Sequence, residues 1–204
     1  LERIGFAGSI APSFETLGRL HALHPAAIAF ENLDPLMGVP VRLDLASLQD
    51  KLVANRRGGF CLEHNYLLRA VLEDLGYSVH AHAARVLLGQ PEGAFPPVSH
   101  MVLTVEVGGT LYLADVGFGG GTPTAPLRLR AGAEQATPHE TFRITGGEPE
   151  FRVEIRTGAD WRPLYAFDLA ERADVEFEAI NEMVSAPGGS MNKGLILARA
   201  EPGR

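Results

Sequence analysis

Apolar positions at helical spacing run through the first part of the chain. After Ser13, a suitable N-cap, apolar side chains recur every three residues and predict a first helix. These side chains are Phe14, Leu17, Leu20 and Leu23. Asp44 is placed to cap a second helix, on which Leu45, Leu48 and Leu52 share one face. This part of the chain is therefore expected to be helical.

A third helix is predicted from about Cys61 to Leu75. Leu68, Val71, Leu72 and Leu75 give it an apolar face, and Gly76 is a natural residue to end it. We therefore expect a helical domain over residues 1–78.

From Ser78 onward the pattern changes to short β-rich segments separated by glycine-rich turns. Six segments are predicted as strands: 79–88, 98–107, 110–116, 141–145, 150–156 and 161–167. They lack the strand–helix alternation of a parallel sheet, so an antiparallel sheet or β-barrel is expected over residues 79–180. Residues 181–204 give no clear periodic signal. The fold class is thus α+β, helices first and barrel second.

Composition narrows the range of functions. The chain has 204 residues, of which 46% are hydrophobic and 21% are charged, as in a folded globular protein. A net charge of −7 argues against nucleic-acid binding, and no apolar run is long enough to cross a membrane. The first residues do not form a secretory signal, and one cysteine cannot make an internal disulfide. A cytoplasmic protein is the simplest interpretation.

The single cysteine is the first candidate for chemistry. Cys61 follows Gly58 and Gly59, which would permit a sharp turn, and it stands at the start of the third predicted helix. Unpaired N–H groups there favour a thiolate and could stabilise an oxyanion. Free cysteine is also among the most buried residue types. From position alone, a nucleophile and an inert buried thiol remain equally good interpretations.

Hairpin register supplies a base for this nucleophile. If Gly108 and Gly109 close a two-residue turn, Val107 pairs with Thr110, and residues 102 and 115 come opposite each other. His100 then points to the same face as Asp115. The two are diagonal neighbours on paired strands, with their backbones about 7–8 Å apart. Asp115 can thus orient His100, and His100 can take the proton of a nucleophile.

Other histidines and a glycine-rich segment are further candidates for a site. His64, one turn into the cysteine helix, is the alternative base. His80 and His82 share a strand face without an obvious third metal ligand, so no metal is expected. His21 and His24 are expected at the surface or in helix packing. The glycine-rich segment 117–122 could approach phosphates, although a flexible turn explains it equally well.

Taken in order, the motifs resemble those of the arylamine N-acetyltransferases. The matching stretches are R3-I4-G5-F6, F30-E31-N32-L33-D34-P35-L36, R57-G58-G59-F60-C61, S99-H100 and L113-A114-D115-V116-G117-F118-G119-G120. Weaker agreement continues from Y165-A166-F167 to N181. The resemblance implies a helical domain and a β-barrel, a core like that of cysteine proteases and transglutaminases. It also implies a catalytic triad of Cys61, His100 and Asp115.

The resemblance implies an activity as well. Acetyl-coenzyme A would acetylate the cysteine, and an arylamine or hydrazine, as in xenobiotic metabolism, would then take the acetyl group. Phe30 and Phe118 match amine-pocket positions, and Glu31 and Arg57 match a supporting charged pair, although a plain surface ion pair explains them equally well. The residues that match a segment near the coenzyme are Gly117, Gly119, Gly120, Gly121 and Thr122.

The end of the chain departs from the family pattern. Family members usually continue into a third α/β domain, whereas here Glu182 and Met191 stand at positions that are usually aromatic, and residues 181–204 would be a remnant of that domain. A second copy of the chain would be one way to cover the barrel surface left open. Two alternatives therefore stay open: a thiol hydrolase or transglutaminase-like enzyme, and a non-catalytic protein that binds acyl-coenzyme or aromatic ligands.

Overall fold

The computed structural model describes residues 1–201 as a helical N-terminal region followed by an antiparallel sheet. The α-helices are α1 (Phe14–Ala27), α2 (Leu33–Leu36), α3 (Leu45–Leu48), α4 (Cys61–Asp74) and α5 (Asp174–Ser185). The strands are β1 (Phe30–Glu31), β2 (Ser78–Val86), β3 (Val98–Val107), β4 (Thr110–Ala114), β5 (Leu127–Arg128), β6 (Glu134–Ala136), β7 (Thr141–Gly147), β8 (Glu150–Thr157), β9 (Asp160–Phe167) and β10 (Leu197–Ala198). A π-helical turn, Gln49–Ala54, continues α3.

Eight of these strands form one sheet that nearly closes into a barrel. Their order is β5-β4-β3-β2-β9-β8-β7-β6, and every pairing is antiparallel. A bridge between Ala131 and Ile144 brings the chain after β5 against β7 and draws the two ends of the sheet together. The predicted α+β class, with helices first and an antiparallel barrel second, is confirmed.

The hairpin that was used to infer the site has the predicted register. Val107 pairs with Thr110, and Leu103 pairs with Ala114 at the other end of the ladder. Gly108 and Gly109 have φ values of 57° and 72°, the left-handed backbone that a two-residue turn needs. This register brings His100 and Asp115 to the same face of the hairpin.

The helix ends follow the predicted capping chemistry. The Ser13 side chain accepts a hydrogen bond from the Thr16 amide, and Asp44 accepts one from the Ser47 amide. Gly76, which follows the last turn of α4, has a φ of 88° and reverses the chain into β2.

Two apolar clusters hold the regions together. In the first, helix α1 contributes Leu17 and Leu20, and α4 contributes Leu68 and Leu72, against the face of β3 that carries Met101. The second fills the barrel between β7, β8 and β9, and its members include Phe142, Ile144, Val153, Leu164, Tyr165 and Phe167. The active-site elements meet along the boundary between the two regions.

The C-terminal part of the chain returns to the helical region. Helix α5 runs across residue 180, where the sequence suggested a boundary, and β10 pairs with β1. Phe30 is the partner of Ala198, and Glu31 is the partner of Leu197. Within residues 1–201, none of the helices combines the length and apolar character needed to cross a membrane.

Candidate active site

Cys61 is the first residue of α4 and lies at the base of a cavity of about 550 Å³. Its side chain is buried, and Sγ lies 3.8 Å from the carbonyl oxygen of Ser99 on β3. Phe60, which precedes it, has no polar side-chain atom with which to cap the helix. The N-cap residue of α4 therefore offers no side-chain acceptor to the amides of the first turn, and the side-chain contact at this helix start is that of Glu63 with the Phe60 amide.

The two glycines before the cysteine are needed because there is no space for a side chain, and not because the backbone is left-handed there. Neither Gly58 nor Gly59 has a positive φ; Arg56, with a φ of 54°, takes the left-handed conformation. A Cβ at Gly58 would lie 2.1 Å from the carbonyl oxygen of Ala29, and one at Gly59 would lie 2.6 Å from Oε2 of Glu63. The expectation that these glycines permit the turn was wrong, because the constraint is lack of space.

His100 and Asp115 form a buried pair beside the cysteine. Nε2 of His100 lies 2.8 Å from Oδ2 of Asp115, and both side chains are shielded from solvent. Burial lowers the pKa of His100, but the Asp115 carboxylate and the adjacent Cys61 outweigh it and raise that pKa to about 10. Since Nε2 is engaged by the carboxylate, Nδ1 is the ring nitrogen available to the sulfur.

Three further groups hold Asp115. Oδ1 accepts hydrogen bonds from the Asn65 side-chain amide and from the Gly117 amide, each 2.9 Å long. The Asp115 amide donates to Nε2 of His21 at 3.0 Å. Burial raises the pKa of Asp115, but His100, Asn65 and the Gly117 amide outweigh it and keep the pKa below its usual value. Asp115 is thus held as a carboxylate.

Asn65 ties the cysteine helix to the hairpin. It lies one turn after Cys61, and its Nδ2 also donates to the Met101 carbonyl at 2.7 Å. Its Oδ1 accepts from the Val116 amide at 3.1 Å. The four-residue spacing from Cys61 to Asn65 on one helix was the signal in the sequence, but the role of Asn65 could not be read without its partners.

Aromatic rings surround the imidazole of His100. Phe118 meets it edge-on with ring centroids 5.2 Å apart, and Tyr165 lies 5.1 Å away on the barrel side. Burial and the nearby Asp115 carboxylate raise the pKa of Tyr165 well above its usual value. These rings exclude water from the pair and fix the plane of the imidazole.

His64 does not face Cys61. Its Nδ1 lies 2.9 Å from Nε2 of His24, and its Nε2 lies 3.2 Å from the Ala29 carbonyl. Burial lowers the pKa of His64 to about 4 and that of His24 well below its usual value. Both ring nitrogens of His64 are therefore occupied. His21 and His24 are buried on α1, so of the two positions expected for them the surface was wrong and helix packing is the one that the structure has.

Glu31 and Arg57 belong to a larger charged network behind the cysteine turn. Oε1 of Glu31 accepts from Nη2 of Arg57 at 2.7 Å, and Glu31 is buried. Arg57 also contacts Asp34, and Lys51 joins Asp34 to Glu63 at 2.6 and 2.7 Å.

Glu63 in turn accepts from the Phe60 amide at 3.0 Å. The network fixes the residue before Cys61, so the pair is more than a surface contact.

The cavity brings together some of the predicted binding residues. Phe30 and Phe118 line it, and so do Gly117, Gly119 and Gly120. Gly121 and Thr122 do not line it; Gly121 packs behind Phe118 and Leu164. Two further parts of the lining carried no signal in the sequence: the chain between β2 and β3, with Val86, Leu88, Gln90, Pro96 and Pro97, and the end of α5 with the chain after it. The second part forms one wall of the cavity. Its residues are Met183, Val184, Gly189, Ser190, Met191, Lys193 and Ile196.

The part of the chain that the structure describes holds no cluster of three histidine, cysteine or acidic side chains fit for a metal ion. His80 pairs with Glu171 at the surface, whereas His82 is buried and contacts Thr104 at 2.8 Å. The two imidazoles that the sequence placed on one face are therefore engaged separately.

A helix-borne cysteine beside a buried histidine–carboxylate pair is typical of enzymes that transfer or hydrolyse acyl groups. A family model described as N-acetyltransferase matches residues 13–203. Curated arylamine N-acetyltransferases of Mycobacterium tuberculosis and Mycolicibacterium smegmatis are 42% and 43% identical to the chain, over 97% of it and 71% and 74% of their own lengths. The solved structure of Mycobacterium marinum arylamine N-acetyltransferase in complex with CoA matches with a TM-score of 0.94 and 43% identity, over 98% of this chain and 75% of that one. The chain belongs to the arylamine N-acetyltransferase family of acyltransferases.

Proposed function

We propose that this enzyme transfers an acetyl group from acetyl-coenzyme A, through a thioester on Cys61, to an arylamine or hydrazine. The observation that carries the proposal is the contact chain from Cys61 to His100 to Asp115 at the base of the cavity. A nucleophile, a base and a residue that orients the base are the minimum for covalent acyl transfer.

In the first half-reaction, Sγ of Cys61 gives its proton to His100 and attacks the carbonyl carbon of the acetyl thioester. The tetrahedral intermediate collapses, the bond from carbon to the sulfur of the coenzyme breaks, and His100 returns the proton to the leaving thiolate. The raised pKa of His100 favours the imidazolium that this exchange requires, since Asp115 stays ionised beside it. Amide N–H groups at the start of α4 would stabilise the oxyanion.

In the second half-reaction, the amine nitrogen attacks the acetyl carbon on Cys61. The nitrogen–carbon bond forms, the carbon–sulfur bond breaks, and the amine proton passes through His100 to the released sulfur. Phe30 and Phe118, which both line the cavity, would stack on an aromatic acceptor. The products are an N-acetylated amine and the free enzyme.

The shape of the cavity fits the thioester end of the coenzyme. A volume of about 550 Å³ falls in the usual range for small-molecule sites, and the walls are mainly apolar. Gly117, Gly119 and Gly120 line it with backbone atoms alone, which lets a narrow chain approach the cysteine closely. We assign these glycines to the coenzyme side of the cleft. Gly121 and Thr122 do not line the cavity, and we assign them to support of that loop.

The test is the intact mass of the protein after mixing with acetyl-coenzyme A. An increase of one acetyl group on the wild type, absent in Cys61→Ala, is the expected result. Addition of an arylamine should remove the adduct and release the acetylated amine. Steady-state rates with both substrates varied should give parallel double-reciprocal lines, because the two half-reactions are separate.

Each alternative would give a different result. An adduct that decays at the same rate with and without amine would identify a hydrolase. A folded protein that binds coenzyme A but gives no adduct would overturn the transfer mechanism in favour of a binding function. Full transfer activity in Cys61→Ala would exclude the cysteine as nucleophile.

A further inference from the structure

Among the described residues, the cavity lining carries a lysine and no acidic side chain. Among the described residues that line it, the ionisable side chains are Cys61, His100 and Lys193, and none is a carboxylate. Cys61 and His100 lie at the base and belong to the reaction. Lys193 is therefore the one permanent cation in the described lining, in a chain whose net charge is −7.

The backbone around Lys193 is held in place by a buried side chain. Nδ2 of Asn32 donates to the carbonyl oxygens of Met191 and Gly194, at 3.1 and 2.7 Å. Oδ1 of Asn32 accepts from the Ile196 amide at 2.7 Å. These three bonds bracket Lys193 from both sides, so the segment 191–196 is a fixed wall of the cavity and not a loose end.

The ammonium group of Lys193 is available to a ligand. Within residues 1–201, Lys193 takes part in no ion pair, and its side chain is exposed at the cavity entrance. The other lysine of the chain, Lys51, is engaged by Asp34 and Glu63. A lysine that is fixed at its backbone, free at its head group and set in a mainly apolar wall is suited to bind an anion.

We propose that Lys193 forms a subsite for the anionic group of a molecule bound in the cleft and thereby sets a preference among substrates. The group is an oxyanion: either a carboxylate carried by the acceptor ring or a phosphate of the coenzyme. The inference rests on the proposed function, since it assigns a partner to one wall of the same cavity. Lys193 is a specificity residue and not a catalytic one, because the acyl transfer is carried out at the base of the cleft.

The experiment compares Lys193→Met, which keeps the length of the side chain, with Lys193→Glu, which reverses its charge. Arg162→Met is the matched control, because it removes one exposed positive charge on β9 outside the cavity lining. The acceptor pair is 4-aminobenzoate and 4-aminobenzamide, which differ in one negative charge. The donor pair is acetyl-coenzyme A and 4-nitrophenyl acetate, of which only the first carries phosphates.

If the carboxylate is the ligand, Lys193→Met lowers the ratio of kcat/KM for 4-aminobenzoate over 4-aminobenzamide by about fivefold, as expected for a partly exposed ion pair. Lys193→Glu lowers it further, and about 0.5 M salt reduces the preference of the wild type. If phosphate is the ligand, the ratio of acetyl-coenzyme A over 4-nitrophenyl acetate falls instead. Arg162→Met changes neither ratio.

Ratios that stay at the wild-type value in both pairs would overturn the subsite. Acetylation of Cys61 by 4-nitrophenyl acetate, read by mass, tests the proposed function separately, because that donor has no anionic group for Lys193 to bind. If no acetyl-enzyme forms with either donor, the subsite is tested by binding alone, and the dissociation constants of 4-aminobenzoate and coenzyme A are measured by calorimetry. Equal dissociation constants for the wild type and Lys193→Met would refute the subsite.

Discussion

At the residue scale, the site depends on one buried carboxylate that is fully hydrogen-bonded. Asp115 is completely shielded from solvent, and it accepts from His100, Asn65 and the Gly117 amide. A buried charge is tolerated only when such partners replace water. The same bonds orient the imidazole, so the groups that stabilise the charge also prepare the base.

Replacement of Asp115 by asparagine tests this orientation. Asp115→Asn keeps the volume but removes the charge that holds the proton on His100, and it permits the wrong ring tautomer. We expect the rate of acetyl-enzyme formation to fall by about two to four orders of magnitude. The pKa of His100, followed by NMR, should fall well below its wild-type value. An unchanged acetylation rate would show that Asp115 has no part in preparing the base.

The buried histidines make the fold sensitive to acid. Burial lowers the pKa values of His21 and His64 to about 4, and burial together with the adjacent His64 lowers that of His24. In the unfolded chain these groups take up protons near pH 6.5, whereas in the folded protein His21 and His64 stay neutral down to about pH 4, and His24 also stays neutral well below pH 6.5. The unfolded state therefore binds more protons between these values, and stability is lost as the pH falls.

We expect the free energy of unfolding to decrease between about pH 6.5 and pH 4, by up to about 1.4 kcal/mol per pH unit for each such histidine. Urea unfolding at several pH values measures this slope. His64→Gln should reduce the slope, and His80→Gln, which changes a partly exposed imidazole on β2, should leave it unaltered. Equal slopes in the wild type and in His64→Gln would contradict the assignment.

At the element scale, α4 carries most of the site. Its first residue is the proposed nucleophile, its third closes the charged network, and its fifth clamps Asp115 and the β3–β4 hairpin. One helix thus fixes the cysteine relative to the barrel, which carries the base. The contact between α4 and the loop after β4 is so close that glycine is required there.

Gly117→Ala tests that contact. A Cβ at Gly117 would lie 2.9 Å from both Cα and the carbonyl oxygen of Cys61, and 3.1 Å from Nδ2 of Asn65. The added methyl group should push α4 away from the loop after β4, which should cost about 1–3 kcal/mol of stability and move Sγ of Cys61 away from His100. The free energy of unfolding, measured with denaturant, and the rate of acetyl-enzyme formation should both decrease.

Gly18→Ala on α1 is the control for this substitution, because a Cβ there meets nothing within 4 Å. An alanine in the middle of that helix should stabilise the protein by about 0.5–1 kcal/mol. Wild-type stability and activity in Gly117→Ala would show that the close approach does not constrain the site.

The sequence could predict elements whose signals are local. The caps Ser13 and Asp44, the stop at Gly76 and the register of the β3–β4 hairpin each depend on residues a few positions apart, and all are confirmed. The role of Asn65 could not be predicted, because its partners lie 36 to 51 residues away. Nor could the burial of His21, since hydrophobic periodicity does not mark a histidine as internal.

At the scale of the whole molecule, the C-terminal segment completes the cleft by returning to the helical region. β10 pairs with β1, the chain before it forms a cavity wall, and Asn32 holds that wall by three hydrogen bonds. Asn181 of α5 adds a bond of 2.9 Å to the Val41 carbonyl. The wall therefore depends on contacts between distant parts of the chain.

Asn32→Ala should release this wall. Three backbone groups lose their hydrogen bond to Asn32, which costs about 1–3 kcal/mol locally, and the KM for the acceptor should rise more than the rate of acetyl-enzyme formation falls. Hydrogen exchange followed by mass spectrometry should show faster exchange in residues 190–198. Asn55→Ala, at the surface, is the control. Unchanged exchange in that segment would refute the role of Asn32.

The sequence by itself determined the helical and barrel regions and the hairpin register, because local periodicity and turn chemistry specify them, and its ordered motifs singled out Cys61, His100 and Asp115 as candidate site residues. Only the tertiary structure decided which groups hold Asp115, why Gly58, Gly59 and Gly117 are glycines, and that residues 183–196 line the cleft. These features depend on the distance between segments far apart in the chain. Such distances arise from the packing of the whole molecule, and no local pattern encodes them.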